Sequence, residues 1–194
     1  MPDNAVVAAI KNDHRTLERM FDQLRKNPDE KTLAEMSILF VAHGKAEEAE
    51  VYPKLAVKSP EDKGDVFHGV EEHREAEEHL RALQAAEPGT EDFTDRLEKF
   101  VESVDHHVEE EESSILPELN QALDEDEAAR VAEAFHQAEE AEKTRLAATS
   151  GRDLDAMSKE ELVAQAERQG LTGVSSRTKD ELKTELHAAL NPKV

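Results

Sequence analysis

At 194 residues, with 37% hydrophobic and 36% charged side chains and only seven Gly and seven Pro, the chain has the composition of a soluble helical protein. It has no cysteine, which excludes disulfides, iron–sulfur clusters, thiolate zinc sites and cysteine catalysis, so any metal must be held by imidazole and carboxylate. The net charge of −22 argues against a nucleic-acid or anionic-membrane surface, no apolar run approaches the roughly 18 residues of a membrane span, and the N-terminus lacks a signal-peptide layout, so a cytoplasmic location is expected.

Pro2-Asp3-Asn4 opens a helix predicted to run to about Lys26, with Val6, Val7, Ile10, Leu17, Phe21 and Leu24 as its apolar stripe. After the break at Asn27-Pro28-Asp29, a second helix is expected from about Glu30 to Val57. Pro53 should bend it or end it early, because proline removes a ladder bond and crowds the carbonyl of Ala49. Ser59-Pro60 and Gly64 mark a turn. A third helix is expected over about 65–86, stopping at Pro88-Gly89, and a fourth from Thr90 to about Leu123. Four helices with short connections predict an all-α, up-down-up-down bundle.

A fifth helix, over about 126–148, carries Val131, Phe135 and Leu146 among many alanines, too little apolar surface to decide whether it packs on the bundle or projects from it. Two short helices are expected at 158–170 and 178–190, each opened by a capping box, Ser158-x-x-Glu161 and Thr178-x-x-Glu181, with a polar loop between them. Residues 150–194 carry seven basic and eight acidic side chains, net −1, which leaves −21 on residues 1–149. The expected organisation is therefore a bundle with its fifth helix over 1–149 and a small helix-loop-helix tail over 150–194.

One motif occurs twice: His43-x-x-x-Glu47 with Pro53 six residues on, and His107-x-x-x-Glu111 with Pro117 six residues on. A separation of four puts both side chains on one helix face, about one turn apart. These residues fall on the apolar stripes: Met36, Phe40, His43, Glu47, Val51 in one helix and Leu97, Phe100, Val104, His107, Glu111, Ile115 in the other. His14 continues the stripe of Ile10, Leu17 and Phe21, and His73 that of Val66, Val70 and Leu80. A single core histidine is ordinarily satisfied by a carbonyl, but a buried unpaired carboxylate costs several kcal/mol or protonates. Two such glutamates, each one turn after a core histidine, point to cations that compensate them. Imidazole with carboxylate suits iron, manganese or zinc, and two carboxylates able to bridge favour a metal pair.

In the order His14, His43-x-x-x-Glu47, His73, His107-x-x-x-Glu111, residues 1–123 resemble the hemerythrin-like family, the HHE cation-binding domain. The resemblance implies two non-haem iron ions inside a four-helix bundle, bridged by the two glutamates, with a vacant position for a small oxidant. Oxygen-carrying hemerythrins have a second histidine where this chain has Glu77, and their last ligand is an aspartate where it has Glu111. Fewer imidazoles or a harder oxygen donor favour the ferric state and access for peroxide over reversible oxygen carriage. The expected function is binding or reduction of hydrogen peroxide, O2 or NO, as in a peroxidase or catalase-like oxidoreductase of oxidative stress. The alternative is an iron or oxygen sensor or binding module without turnover, with the tail contacting a partner or nucleic acid.

Two further ligand candidates are Glu77, one turn beyond His73, and Tyr52, the only tyrosine, which ideal geometry places about 140° around the helix from Glu47. Residues 154–190 resemble the small helical modules of the SAP and Rho N-terminal type, which implies nucleic-acid contact through Arg177, Lys179 and Lys183. On a chain of charge −22 those three cations provide little phosphate affinity, so a packing or partner-binding module is the expectation.

Overall fold

A computed structural model of the chain describes residues 2–58, 63–149, 154, 157–168 and 171–190. The described residues are helical, with no strand among them, and none of the helices is long and apolar enough to cross a membrane. They divide into two compact units, Met1–Glu142 and Lys143–Val194.

The first unit is built on α1 (Ala5–Lys26), α2 (Glu30–Ala46), α4 (Lys63–Gln84) and α5 (Glu91–Glu110). Side chains at the entry points set where these helices begin. Asn4 accepts a hydrogen bond from the Val7 amide, Asp29 from that of Thr32 and Thr90 from that of Phe93. The helices close into a ring in which α1 touches α2 and α5, while α4 touches the same two neighbours. The turn expected at Ser59-Pro60 lies outside the described residues, and Gly64 sits in the first turn of α4 rather than in a loop.

Of the two outcomes expected at Pro53 the early stop does not occur, and the same device recurs at Pro117. Neither helix ends at its proline. A π-helical turn, π1 (Glu47–Val51), links α2 to α3 (Tyr52–Lys58), and π2 (Glu111–Ile115) links α5 to α6 (Leu116–Ala122). In each, the amide before the proline, Tyr52 or Leu116, bonds five residues back to the carbonyl of Glu47 or Glu111. The wide turn relieves the clash that Pro53 and Pro117 would make with the carbonyls of Ala49 and Ser113, and each proline falls in the first turn of the resumed helix, where its missing N–H is not needed.

Two apolar clusters fill the bundle. One, containing Phe21, Met36, Phe40, Leu80, Phe93 and Phe100, occupies the end where α1 finishes. The other, containing Val7, Ile10, Val51, Leu55, Leu116 and Leu119, occupies the opposite end and includes Ala128, Val131, Ala132 and Phe135 of α7 (Glu125–Thr149). Packing thus settles the question of the fifth helix, whose first half docks on the bundle. Phe100 is fully buried and meets Phe40 and Phe21 edge-on, with ring centres 5.1 and 5.7 Å apart. Phe100→Ala is expected to cost about 3–5 kcal/mol in urea unfolding of the metal-free protein, through lost contacts and the cavity left behind.

In the second unit both expected capping boxes form, at the starts of α8 (Lys159–Arg168) and α9 (Lys179–Leu190), with Glu161 accepting from the Ser158 amide and Glu181 from that of Thr178. Leu154, Leu162, Ala166, Val174, Leu182 and Leu186 form its small core, and Arg177 makes an ion pair with Glu185.

Candidate metal centre

Between the two apolar clusters, each bundle helix turns one histidine inward: His14 from α1, His43 from α2, His73 from α4 and His107 from α5, all buried. Glu47 and Glu111, the first residues of π1 and π2, are 0% exposed. Glu47 extends one oxygen to His43 Nε2 at 3.3 Å and the other to His73 Nε2 at 3.4 Å. Glu111 Oε2 lies 3.3 Å from His14 Nε2 and 3.9 Å from His107 Nε2. The Nε2 atoms of His73 and His107 face each other at 2.9 Å. All six residues singled out by spacing therefore meet at one place. Their donor atoms fall into two groups, His14–His43–Glu47–Glu111 and Glu47–His73–His107, each with its atoms within 4.8 Å of one another. Glu47 belongs to both.

The unmet bonding of these atoms tests whether metal ions fit. His14 Nε2, His43 Nε2, both oxygens of Glu47 and Oε2 of Glu111 are buried without a hydrogen-bond partner. Buried polar atoms are ordinarily paired, and each orphan costs about 1–3 kcal/mol, more when charged. Five of them aimed into one space, all of ligand type, are what bound cations would satisfy.

Behind the histidines stands an outer set of acids. Glu112 Oε1 accepts from His14 Nδ1 at 2.9 Å, and Glu72 Oε2 from His107 Nδ1 at 2.9 Å. Asp13 Oδ2 lies 3.4 Å from His43 Nδ1, and Glu48 Oε1 3.7 Å from His73 Nδ1. Each acid comes from the helix next to the one whose histidine it faces: α1 supports α2, π1 supports α4, α4 supports α5 and π2 supports α1. Glu112, Glu72 and Asp13 keep the Nδ1 proton of their imidazoles in place and leave Nε2 for a metal, while Glu48 faces His73 as a charge from beyond hydrogen-bond reach. Sequence reasoning missed these four acids. Each is the chain neighbour of a proposed ligand, and a one-residue step rotates a helical side chain by about 100° toward the adjacent helix, a position that many hydrated acids of this sequence share.

Of the two secondary candidates, Tyr52 reaches the centre. The π-turn brings it back onto the face of Glu47, its ring stacks on His73 at 6.0 Å, and its hydroxyl donates to Glu111 Oε1 at 3.5 Å. Glu77 points elsewhere, lying 3.8 Å from Lys45 and 3.9 Å from Arg81. Two glycines admit these rings: a Cβ on Gly44 would sit 3.1 Å from His73 Nδ1, and one on Gly69 would sit 3.0 Å from the Tyr52 hydroxyl.

Electrostatics make the metal-free centre a set of ion pairs. Burial alone would lower the His43 imidazole, but Glu47 and Asp13 outweigh it and hold the pKa well above the histidine range. His73 is raised to about 9 against burial, by Glu47 and Glu48. Burial would raise Glu47, yet His43 and His73 hold it well below the usual carboxylate value. Burial, then the charges of Glu111 and Glu47, push the Tyr52 hydroxyl well up and keep it protonated. A metal ion must displace the imidazolium protons. A raised histidine stabilises the fold fully below its unfolded value of 6.5, and that contribution is lost as pH rises through about 9. The chelated protein is therefore expected to lose a few kcal/mol of stability between those limits, while metal affinity rises over the same window. Thermal melts of the chelated and loaded protein should diverge with increasing pH.

The family profile described as the hemerythrin HHE cation binding domain matches residues 5–119. Among curated relatives, an uncharacterized hemerythrin-like protein of Schizosaccharomyces pombe is 29% identical over 132 residues, 66% of this chain and 65% of its own. A protein of Nostoc sp. described as a DNA nickase is 26% identical over 148 residues, 74% of this chain and 42% of its own. The chain thus spans less than two thirds of the length of each of these relatives. No solved structure matches it.

Proposed function

Because the chain belongs to the hemerythrin HHE cation-binding family, we propose that His14, His43, Glu47, His73, His107 and Glu111 hold two non-haem iron ions, at which hydrogen peroxide, O2 or NO is bound or reduced. The observation that carries this reading is the pair of buried donor groups joined through Glu47, with their metal-facing atoms otherwise unpaired. The ligand types also suit manganese and zinc, and iron is preferred because it is the usual metal of the family.

When bound, the iron pair supplies the electrons and the Lewis acidity that reducing a small oxidant requires. The chain's own residues do the rest. Glu47 ties the two halves together, and Asp13, Glu48, Glu72 and Glu112 orient the four imidazoles. The apolar clusters on either side keep bulk water out and strengthen every charge interaction between them. Tyr52 holds a proton at its hydroxyl, 3.5 Å from Glu111 Oε1, where it steadies negative charge as it accumulates. The group around His73 and His107 has three protein donors against four in the other, which leaves it more room for an external ligand. Residues 150–194 are proposed as a partner-binding module.

The test is metal content per chain, the near-ultraviolet and visible spectrum, and the rate of peroxide consumption. About two irons per chain with a ferric charge-transfer band and catalytic peroxide loss are expected. Zinc, a single metal or none would overturn the di-iron reading. A spectral change completed once per centre, without turnover, would replace the enzyme with a sensor.

A further inference from the structure

A second, outward-facing set of the same donor types stands on the seam between α4 and α5. His68 and Glu72 lie one turn apart on α4, and His106 and Glu110 one turn apart on α5. Glu72, His106 and Glu110 each precede a residue of the buried centre, so one step along the helix separates the inner face from this seam. His68 Nε2 lies 3.7 Å from Glu72 Oε1 and 3.6 Å from Glu110 Oε2. His106 Nε2 lies 3.6 Å from Glu72 Oε1 and 3.4 Å from Glu110 Oε1. His68, Glu72 and Glu110 each offer an atom within 4.8 Å of the other two.

Glu72 distinguishes this cluster from an ordinary charged surface. Its side chain is only 10% exposed, and Oε2 is engaged by His107 Nδ1 at 2.9 Å. Oε1 is buried, has no hydrogen-bond partner, and faces the two exposed imidazoles from beyond hydrogen-bond reach. A buried carboxylate oxygen of that kind calls for a cation. A cleft of about 380 Å³ opens over it, to which Glu75 and Glu102 add negative charge and His79 another imidazole, against the single positive charge of Lys99. A tetrahedral ion with bonds of about 2.1 Å would space its donors at about 3.4 Å; His68 stands 3.6–3.7 Å from its two glutamate partners, and His106, 3.4–3.6 Å from oxygens of the same two glutamates, lies beside this set of three.

We propose that His68, Glu72 and Glu110, with His106 beside them, form a second cation site, for a divalent transition metal of the zinc class, joined to the buried centre through Glu72. The two oxygens of Glu72 then serve different masters. A cation on Oε1 draws charge from the carboxylate and weakens its hold on the Nδ1 proton of His107, so the surface ion is felt by an imidazole of the buried centre. The surface site does not depend on which metal the buried centre holds.

The test is calorimetric titration with Zn2+, checked by metal analysis, of the iron-loaded protein and of its His68→Ala/His106→Ala variant. Both histidines are more than half exposed, so the substitutions leave the core untouched. One Zn2+ per chain beyond the core metal is expected, with affinity reduced roughly tenfold or more in the double variant. Its binding should shift the visible spectrum of the intact protein and not that of the variant. The same titration in a Glu47→Ala background, where the buried centre has lost its shared donor, should still show one Zn2+ that Glu110→Gln together with the two histidine changes removes. That arm stands even if the di-iron reading fails. No Zn2+ outside the core, or equal binding by the parent and variant chains, would overturn the proposal.

Discussion

Glu47→Ala is expected to take a donor from both halves of the metal centre, leaving His73 and His107 alone on one side and His14, His43 and Glu111 on the other, and so to lower metal content from about two ions per chain to about one or less. Glu47 is the one residue common to both donor groups, with an oxygen 3.3 Å from His43 and another 3.4 Å from His73. Its removal also takes away one of the charges that raise both imidazoles in the metal-free protein, leaving Asp13 and Glu111 to act on His43 and Glu48 and Glu111 on His73. Glu111→Ala provides the contrast. Glu111 belongs to only one group, and its loss leaves three donors in each, Glu47, His73 and His107 in one and His14, His43 and Glu47 in the other, so more than one ion should remain. Metal analysis of the two variants side by side decides the matter. Two ions retained by Glu47→Ala, or equal losses from both variants, would show that the centre is not joined through Glu47.

Gly44→Val is expected to disable one half of the centre selectively. A Cβ at this position would meet the His73 ring at 3.1–3.3 Å, a contact that the ring relieves by giving way a few tenths of an ångström. Valine adds two further carbons, which need more room than that. His73 cannot retreat freely, because Tyr52 stacks on its far side and Phe40 meets it edge-on. Overpacking of this kind costs about 1–3 kcal/mol, and here the displaced side chain is itself a proposed ligand. Metal content should fall to about one ion per chain, held by His14, His43, Glu47 and Glu111. Gly44→Ala should keep both ions. Two ions in the valine variant would mean that the helices part without disturbing His73.

The histidines and glutamates of the centre were legible because they lie on apolar stripes. Spacing alone was not enough. His14/Glu18, His68/Glu72, His73/Glu77, His106/Glu110 and His136/Glu140 repeat the same interval in a chain with 46 acidic residues. Only registration with Phe40, Val51, Phe100, Val104 and Ile115 marked His43/Glu47 and His107/Glu111 as inward-facing. The π-turns were not legible, since an extra residue in the backbone ladder leaves no compositional trace. Pro53 and Pro117 hinted at a disturbance but read equally as a bend or a stop. Tyr52 followed from that: at an ideal helical pitch it points away from Glu47, and only the widened turn returns it to the site. Asp13, Glu48, Glu72 and Glu112 were hidden differently. In an acidic sequence, glutamates beside a helix stripe look hydrated, and only the packing of neighbouring helices shows that these four are engaged.

The circular order of those four acids has a mechanical consequence. Every helix of the ring contributes an imidazole, three of the four imidazoles are hydrogen-bonded by an acid of the helix beside them, and the fourth, His73, faces the charge of Glu48 across 3.7 Å, so slackening an interface loosens the hold on a donor. An ion drawn to any one histidine tightens a belt that runs through all four. Loading with metal should therefore slow amide hydrogen exchange along α1, α2, α4 and α5 together, rather than only in the turns nearest the centre.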